Sequence, residues 1–515
     1  MQIRNHPHSG RRTQADRRTE TLHYRNPILR GDYSDPDVIR VGEDFYLTSS
    51  SFTYVPGLPI LHSRDLVHWE QIGYAAERLP FERYNRPAHK CGTWAPSIRW
   101  HNGQFYVYVC LPDEGLLAFT AENPAGPWEC HYVKDVCGWI DPCPLFASDG
   151  IVWLVHGFAA SRAGINNLLF VHRLSDDGLQ VLDNGVLVYD GRLHGDVTVE
   201  GPKFYERDGM YWILCPAGGV KPGYQLALRS EKIEGPYERR VVLQQGKTGI
   251  NGPHQGGWVD DPRGQHWFLH FQDVGAYGRI CHLQPVNWSD GWPMMGAGGE
   301  PVSEGDTGLP SFPGSVPTSD DFLETIGIQW QWQANPCEGW YRLLKPGLRL
   351  YAAPASDLFS AGQFLSQLMQ SHAFDMDVFL QLHGHAGDAA GIAMMGYTYY
   401  SLALQERHVV LRKGTAVEKG RWVPASVEES TEETRAWDRQ DVLFRMRVCQ
   451  GKASFYYGSC PETLEPIGET YAMTCGGWTG ARPGIFAMNL RGTWGGWADI
   501  RYVHVHAGHP DDFAG

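Results

Sequence analysis

The sequence predicts an all-β chain of two domains: a five-bladed β-propeller over residues 25–300 and a β-sandwich, jelly-roll or concanavalin-like, over 321–515. Three observations lead there. Glycine supplies 60 of the 515 residues and proline 33, a surplus of turn formers over an ordinary globular chain. Five segments before residue 300 share one pattern: a small or acidic residue, Pro, a few mixed residues, a turn with Gly or Asp, then an aromatic-rich strand. After residue 320, apolar and polar residues alternate at period two in short runs.

The repeats centre on Pro36, Pro96, Pro142, Pro202 and Pro253, spaced 60, 46, 60 and 51 residues apart. The first unit reads SDPDVIRVGEDFYLTSS from Ser34 and continues in LPILHSRDLVHWEQIG. The second, WAPSIRWHNGQFYVYVC from Trp94, turns at Asn-Gly and is followed by LLAFTAENPAGPWECH. IDPCPLFASDGIVWLVHG from Ile140 is the third. The fourth, EGPKFYERDGMYWILCPAG from Glu200, turns at Asp-Gly and is followed by YQLALRSEKIEGPYERR. NGPHQGGWVDDPRGQHWFLHFQ from Asn251 is the fifth. Asn-Gly or Asp-Gly between alternating runs is a strong hairpin signal. Four short strands in about 50 residues, repeated, make the blade of a propeller.

In a propeller the first strand of each blade lines the central channel, so the residues before the five prolines occupy comparable positions around one axis. They are Asp35, Ala95, Asp141, Gly201 and Gly252, with Glu200 two residues before its proline. Asp35, Asp141 and Glu200 are therefore expected to converge on one pocket. Converging carboxylates repel and are costly to desolvate, so stability alone does not gather them. Taken singly, each Asp-Pro reads as a turn residue capping its own backbone; three at one level of a ring read as chemistry. Hydrolysis of a glycosidic bond needs such a set, one carboxyl protonated for the leaving oxygen and one ionised to activate water or attack the sugar.

Phe52, Tyr54, Trp94 and Trp139 lie near the channel end of their blades and are candidate subsite walls for the CH-rich faces of sugar rings. The bland alternative is packing between blades. Arg279 on the fifth blade is a candidate for binding a sugar hydroxyl and keeping a carboxylate ionised. His254, next to Pro253, is the candidate metal ligand. No second ligand stands at a suitable spacing, so calcium is expected only as a structural ion and no cofactor is needed for the chemistry.

Other classes lack support. The formal charge is −14, spread over a chain with only 20% charged residues, which leaves no basic surface for a phosphate backbone. No apolar run approaches the ~18 residues of a membrane span. There is no GxGxxG after a strand, no P-loop, no GxSxG elbow and no HExxH. The eleven cysteines include no CxxC pair, and most of them read as reduced, buried, structural residues. Residues 1–24 carry several arginines but no apolar core of a signal peptide, and read as a disordered leader on a cytoplasmic protein.

At these motifs the first domain resembles glycoside hydrolase family 43, which includes β-xylosidases and α-L-arabinofuranosidases. The likeness runs through NPILRGDYSDPDVIRVGEDFYLTSSSF, GTWAPSIRWHNGQFYVYV, WIDPCPLFASDG, TVEGPKFYERDGMYWIL and GRICHLQPVNW. It implies Asp35 as general base, Asp141 as modulator of its neighbour's pKa and Glu200 as general acid, with inversion at the anomeric carbon. It also implies Trp94 as a subsite aromatic, Arg279 as the substrate-binding arginine and His254 as an axial histidine. The fifth blade departs from the family in reading NGPHQGGW where many members have a shorter GHG-type motif.

From residue 301 to 320 the chain reads as a Gly/Pro/Ser-rich linker. The strands beyond it resemble the sandwich that many family 43 xylosidases carry, which can lend a loop to the pocket. NPCEGWYR, with Trp340 and Tyr341, is the candidate loop; a packing or dimerisation module is the alternative. The expected protein is thus an exo-acting, inverting hydrolase releasing terminal β-1,4-xylose or α-L-arabinofuranose from xylo-oligosaccharides or arabinoxylan fragments. Neither nucleic acid nor membrane is an expected partner, and a homo-oligomer is allowed. The rival is a non-catalytic glycan-binding propeller with a lectin-like sandwich, which would not need Glu200 as an acid.

Overall fold

The computed structural model of the chain describes residues 22–417, 419 and 425–508. Five antiparallel sheets of four strands each form the propeller, every sheet built from consecutive strands. The innermost strands are Asp37–Val41, Trp94–His101, Trp139–Phe146, Lys203–Arg207 and His254–Asp260. Hairpin chemistry explains the strand turns. Asn102 and Gly103, like Asp208 and Gly209, both take positive φ (49° and 85°, 51° and 73°), the type I′ pattern these residue types allow. Alternate faces of each blade bury their aromatics and aliphatics against the next, giving an apolar core at every seam. Between blades five and one it comprises Tyr33, Phe45, Trp69, Trp267 and Leu283 among others. Among the described residues, no helix is long and apolar enough to cross a membrane.

The ring closes without a shared blade. Residues 26–29 lie along the third strand of blade five, Ile28 N donating to Cys281 O at 2.9 Å and Asn26 Nδ2 to Leu283 O at 2.9 Å. This corrects the boundary of the expected leader. Its residues 1–21 lie outside the described residues, but His23–Arg25 is a strand paired with Glu304–Asp306. The linker is likewise not a loose one: it supplies that partner strand, and Phe312 N donates to Asp65 Oδ2 at 2.7 Å on blade one. Backbone groups on this stretch find partners on the propeller, which Gly/Pro content alone does not reveal.

The second domain is two packed sheets, antiparallel except where the short strand Ala353–Pro354 runs parallel to Arg482–Asn489. One runs from Gln331–Trp332 through Leu365–Ser366, Arg482–Asn489, Asp388–Met395, Thr398–Gln405 and His408–Val417 to Ser426–Ala436. The other is seven-stranded, with Trp497–Ala507, Phe374–His383 and Asp441–Cys449 at its centre. Met376, Val378, Leu380, Ile392, Leu402 and Phe444 fill the space between them and are fully buried. The sandwich docks on blade one through backbone pairing. Val55 and Trp332 exchange hydrogen bonds of 2.9 and 2.6 Å, and Asn335 N donates to Tyr84 O at 2.7 Å. Arg482 reaches across, its guanidinium 3.6 Å above the Tyr54 ring.

Candidate active site

One residue at the start of each innermost strand has left-handed backbone: Asp35, Ala95, Asp141, Gly201 and Gln255, with φ of 55°, 33°, 57°, 53° and 54°. In blades two, three and five the ladder register slips there, between Trp94 and Ser97, Ile140 and Cys143, and His254 and Gly256. Such a bulge re-aims a side chain, here toward the pocket at the mouth of the channel. Each of these residues stands seven positions ahead of the first turn residue of its hairpin: Gly42, Asn102, Ser148, Asp208 and Pro262. On this measure the fifth blade places Gln255 at the channel position, not Gly252, which alignment on the prolines had suggested. The offset to the turn was legible in the sequence, and it is the better ruler.

The pocket encloses about 200 Å³ and is lined by Asp35, Asp141 and Glu200 together with Phe52, Trp94, Gln255, Arg279 and Trp478; Ala95, Ile140, Thr198 and Val220 complete it. Three carboxylates from blades one, three and four thus share one cavity. Below them the channel is plugged by a second polar level. Arg99 Nη1 donates to Asp37 Oδ2 at 2.7 Å, and the buried Lys203 donates to Pro96 O and Ser97 Oγ at 2.6 and 2.8 Å.

The three carboxyls have different surroundings. Asp35 accepts from Ser50 Oγ at 2.6 Å on one oxygen and from Arg279 Nη1 at 3.0 Å on the other, the role of an ionised carboxylate. Asp141 accepts from Gly201 N at 2.7 Å, which ties it to the residue beside Glu200. Burial, and then the charge of Asp35, pushes Asp141 well above the ordinary aspartate range. The Glu200 carboxyl makes no hydrogen bond among the described residues. Burial first, then the charges of Asp141 and Asp35, raises its pKa to about 8. One pocket therefore holds a carboxyl that keeps its proton at neutral pH and a carboxylate paired to a guanidinium, the division of labour an acid and a base require.

Phe52, Trp94 and Arg279 stand where the sequence placed them; Tyr54 and Trp139 do not. Tyr54 is buried under Arg482 at the domain seam, so it holds the sandwich and is not among the pocket residues. Trp139 is stacked 3.8 Å from His156 in the core between blades two and three. Nor does NPCEGWYR close the pocket. Trp340 is buried in the sandwich core beside Trp332, ring centroids 5.7 Å apart. The sandwich instead contributes Trp478, from the loop between Cys475 and Ala481, set edge-on to Trp94 at 6.4 Å. Nothing in the sequence ranked Trp478 above the other tryptophans of that domain. Gln255 was also missed: only 6% exposed, it presents a carboxamide with no hydrogen bond of its own among the described residues.

His254 takes the place before the bulge and is fully buried. Its Nδ1 lies 2.7 Å from Gly252 O, to which it donates, and burial lowers its pKa to about 4. It is not among the residues lining the pocket. Among the described residues no three His, Cys, Asp or Glu side chains are grouped to hold a metal ion. A metal caged by side chains around His254 therefore does not fit, and no step below runs through one.

Comparison with known proteins agrees with this arrangement. Residues 24–293 match the family described as Glycosyl hydrolases family 43, and residues 319–506 match the beta xylosidase C-terminal concanavalin A-like domain. A relative from Xylanibacter ruminicola, provisionally named a beta-xylosidase, is 38% identical over 484 residues, 91% of this chain and 87% of its own. A non-reducing end alpha-L-arabinofuranosidase of Bacteroides ovatus is 35% identical over 366 residues, 64% of each chain. Among solved structures, a family 43 glycoside hydrolase engineered at its active site to display endo-xylanase and exo-arabinofuranosidase activity superposes with a TM-score of 0.84. It is 26% identical, over 95% of this chain and 100% of that one.

Proposed function

The chain belongs to glycosyl hydrolases family 43, and from that premise we propose that it removes single terminal pentoses from xylan-derived oligosaccharides, β-1,4-xylose first and α-L-arabinofuranose close behind. It is a glycoside hydrolase that acts from chain ends with inversion at the anomeric carbon. The observation that carries the residue roles is the contrast between Glu200, whose proton is held by burial and neighbouring charge, and Asp35, paired to Arg279.

In the proposed reaction Glu200 gives its proton to the glycosidic oxygen as the bond from that oxygen to the anomeric carbon breaks. A water on the opposite face forms the new bond and passes its proton to Asp35. Glu200 is left ionised and Asp35 protonated, and exchange with solvent restores both. Asp141 keeps the Glu200 proton in place until the leaving group needs it. Arg279 and the Gln255 carboxamide are positioned to meet sugar hydroxyls, and Trp94, Phe52 and Trp478 to stack on the ring. Exo action has a physical basis in the blind pocket, plugged below by the Asp37–Arg99 pair and walled by Trp478. No cofactor is needed for any of these steps.

The test is the wild type and Glu200→Gln on xylobiose, aryl xyloside and aryl arabinofuranoside. Loss of a general acid costs about 10²–10⁴ in turnover, and most of that is expected on xylobiose, whose leaving group needs the proton. A Glu200→Gln protein as active as wild type on xylobiose would remove Glu200 from this role. The ratio of the two aryl activities assigns the preferred sugar.

A further inference from the structure

We propose that Asp32, outside the pocket, is the positioning residue that couples the sandwich loop bearing Trp478 to the Arg279–Asp35 pair. The inference rests on the roles proposed above for Asp35 and Arg279. Asp32 is 7% exposed and spends its carboxylate on two backbone N–H groups from different domains. Oδ1 accepts from Arg279 N at 2.7 Å; Oδ2 accepts from Gly480 N at 2.7 Å. Ser34 Oγ donates to Oδ1 at 3.1 Å, next to Asp35 in the chain.

The surroundings leave this carboxylate little freedom. A Cβ on Gly278 would come within 2.3 Å of the Asp32 carboxyl carbon, so only glycine lets blade five approach it. A Cβ on Gly480 would come within 2.7 Å of Gly278 N, so the sandwich loop is pressed against the residue preceding Arg279. Ala481 N donates to Ala276 O at 2.7 Å, a second tie at the same place. Trp478 sits two residues before Gly480, and Arg279 one residue after Gly278. A side chain shared by both backbones therefore sets how far the Trp478 wall stands from the guanidinium that holds Asp35. Removing it leaves two buried N–H donors unpaired, and both loops move.

Asp32→Asn puts a donor where one N–H now points and keeps a single acceptor. The account expects a loss of about 10²-fold in kcat/KM on xylobiose, the scale of an ångström-sized misplacement at a reacting centre. It also expects Trp478→Ala to cost much less in the Asp32→Asn background than in the wild type, because the wall is already displaced. Acrylamide quenching, compared with and without Trp478, is expected to show that indole more accessible in Asp32→Asn. Full additivity of the two substitutions, or unchanged quenching, would overturn the proposal. Should Asp32→Asn fail to fold, Ser34→Ala weakens the same carboxylate more gently and is expected to give the same non-additivity at smaller amplitude; additivity there would also overturn it. Glu200→Gln in the same assay separates the two readings, since it loses xylobiose activity whether or not Asp32 couples the domains.

Discussion

Glu200 keeps a proton that water would take, and the fold bears the cost. An acid whose folded value lies above its unfolded one binds more protons when folded. Its contribution to stability is therefore lost as pH rises from the ordinary glutamate range toward about 8. Glu200→Gln keeps the shape and removes the charge, so it is expected to raise the melting midpoint at pH 8 while turnover falls. Calorimetry at pH 6 and 8 reads this, and a midpoint lowered at pH 8 would contradict it. Asp141→Asn removes the charge that, after burial, does most to raise Glu200. The alkaline limb of kcat/KM then moves to lower pH; a limb that stays in place would show that Asp141 does not hold that proton. These carboxylates were legible in the sequence because Asp35 and Asp141 share one register of a repeated motif and Glu200 stands one residue ahead of it. Gln255 and Asp32 were not: a glutamine beside a histidine suggests nothing by type, and Asp32 acts through backbone groups that no residue pattern announces.

The left-handed residue at the head of each innermost strand is the element that aims the pocket, and Gly201 shows what it demands. Its φ is 53°, and a Cβ there would meet Pro216 at 2.8 Å and the Gln255 carboxamide carbon at 3.0 Å. Gly201→Ala is expected to cost about 1–3 kcal/mol of stability and to push Gln255 and Glu200 apart. Urea unfolding with parallel measurement of KM and kcat checks it; an unchanged midpoint and unchanged kinetics would refute it. Blades were readable as elements because hairpin turns and period-two strands are local signals. The fifth was misregistered because its Pro253 lies three residues earlier relative to the turn than in the other blades. Strand and turn chemistry, not the proline, sets where the side chain points.

Across the whole molecule the propeller buries histidines in neutral form. Burial lowers His156 to about 3 and both His254 and His270 to about 4. The unfolded chain takes up these protons near the ordinary histidine value while the folded one does not. Stability therefore falls as pH drops from about 6.5 toward 4. The melting midpoint at pH 5 is expected below that at pH 7, and His156→Gln to flatten the slope; parallel slopes would contradict this. The two-domain plan was plain from composition and rhythm, whereas the docking was not. The seam is made by backbone pairs such as Val55 with Trp332 and by a buried arginine over Tyr54, none of which has a spacing to read. The central claim is that Asp35 and Glu200 work on opposite faces of one sugar in a single displacement. Proton NMR of the first xylose released from an aryl β-xyloside tests it: the account predicts the α-anomer, and β-xylose as the first product would contradict it.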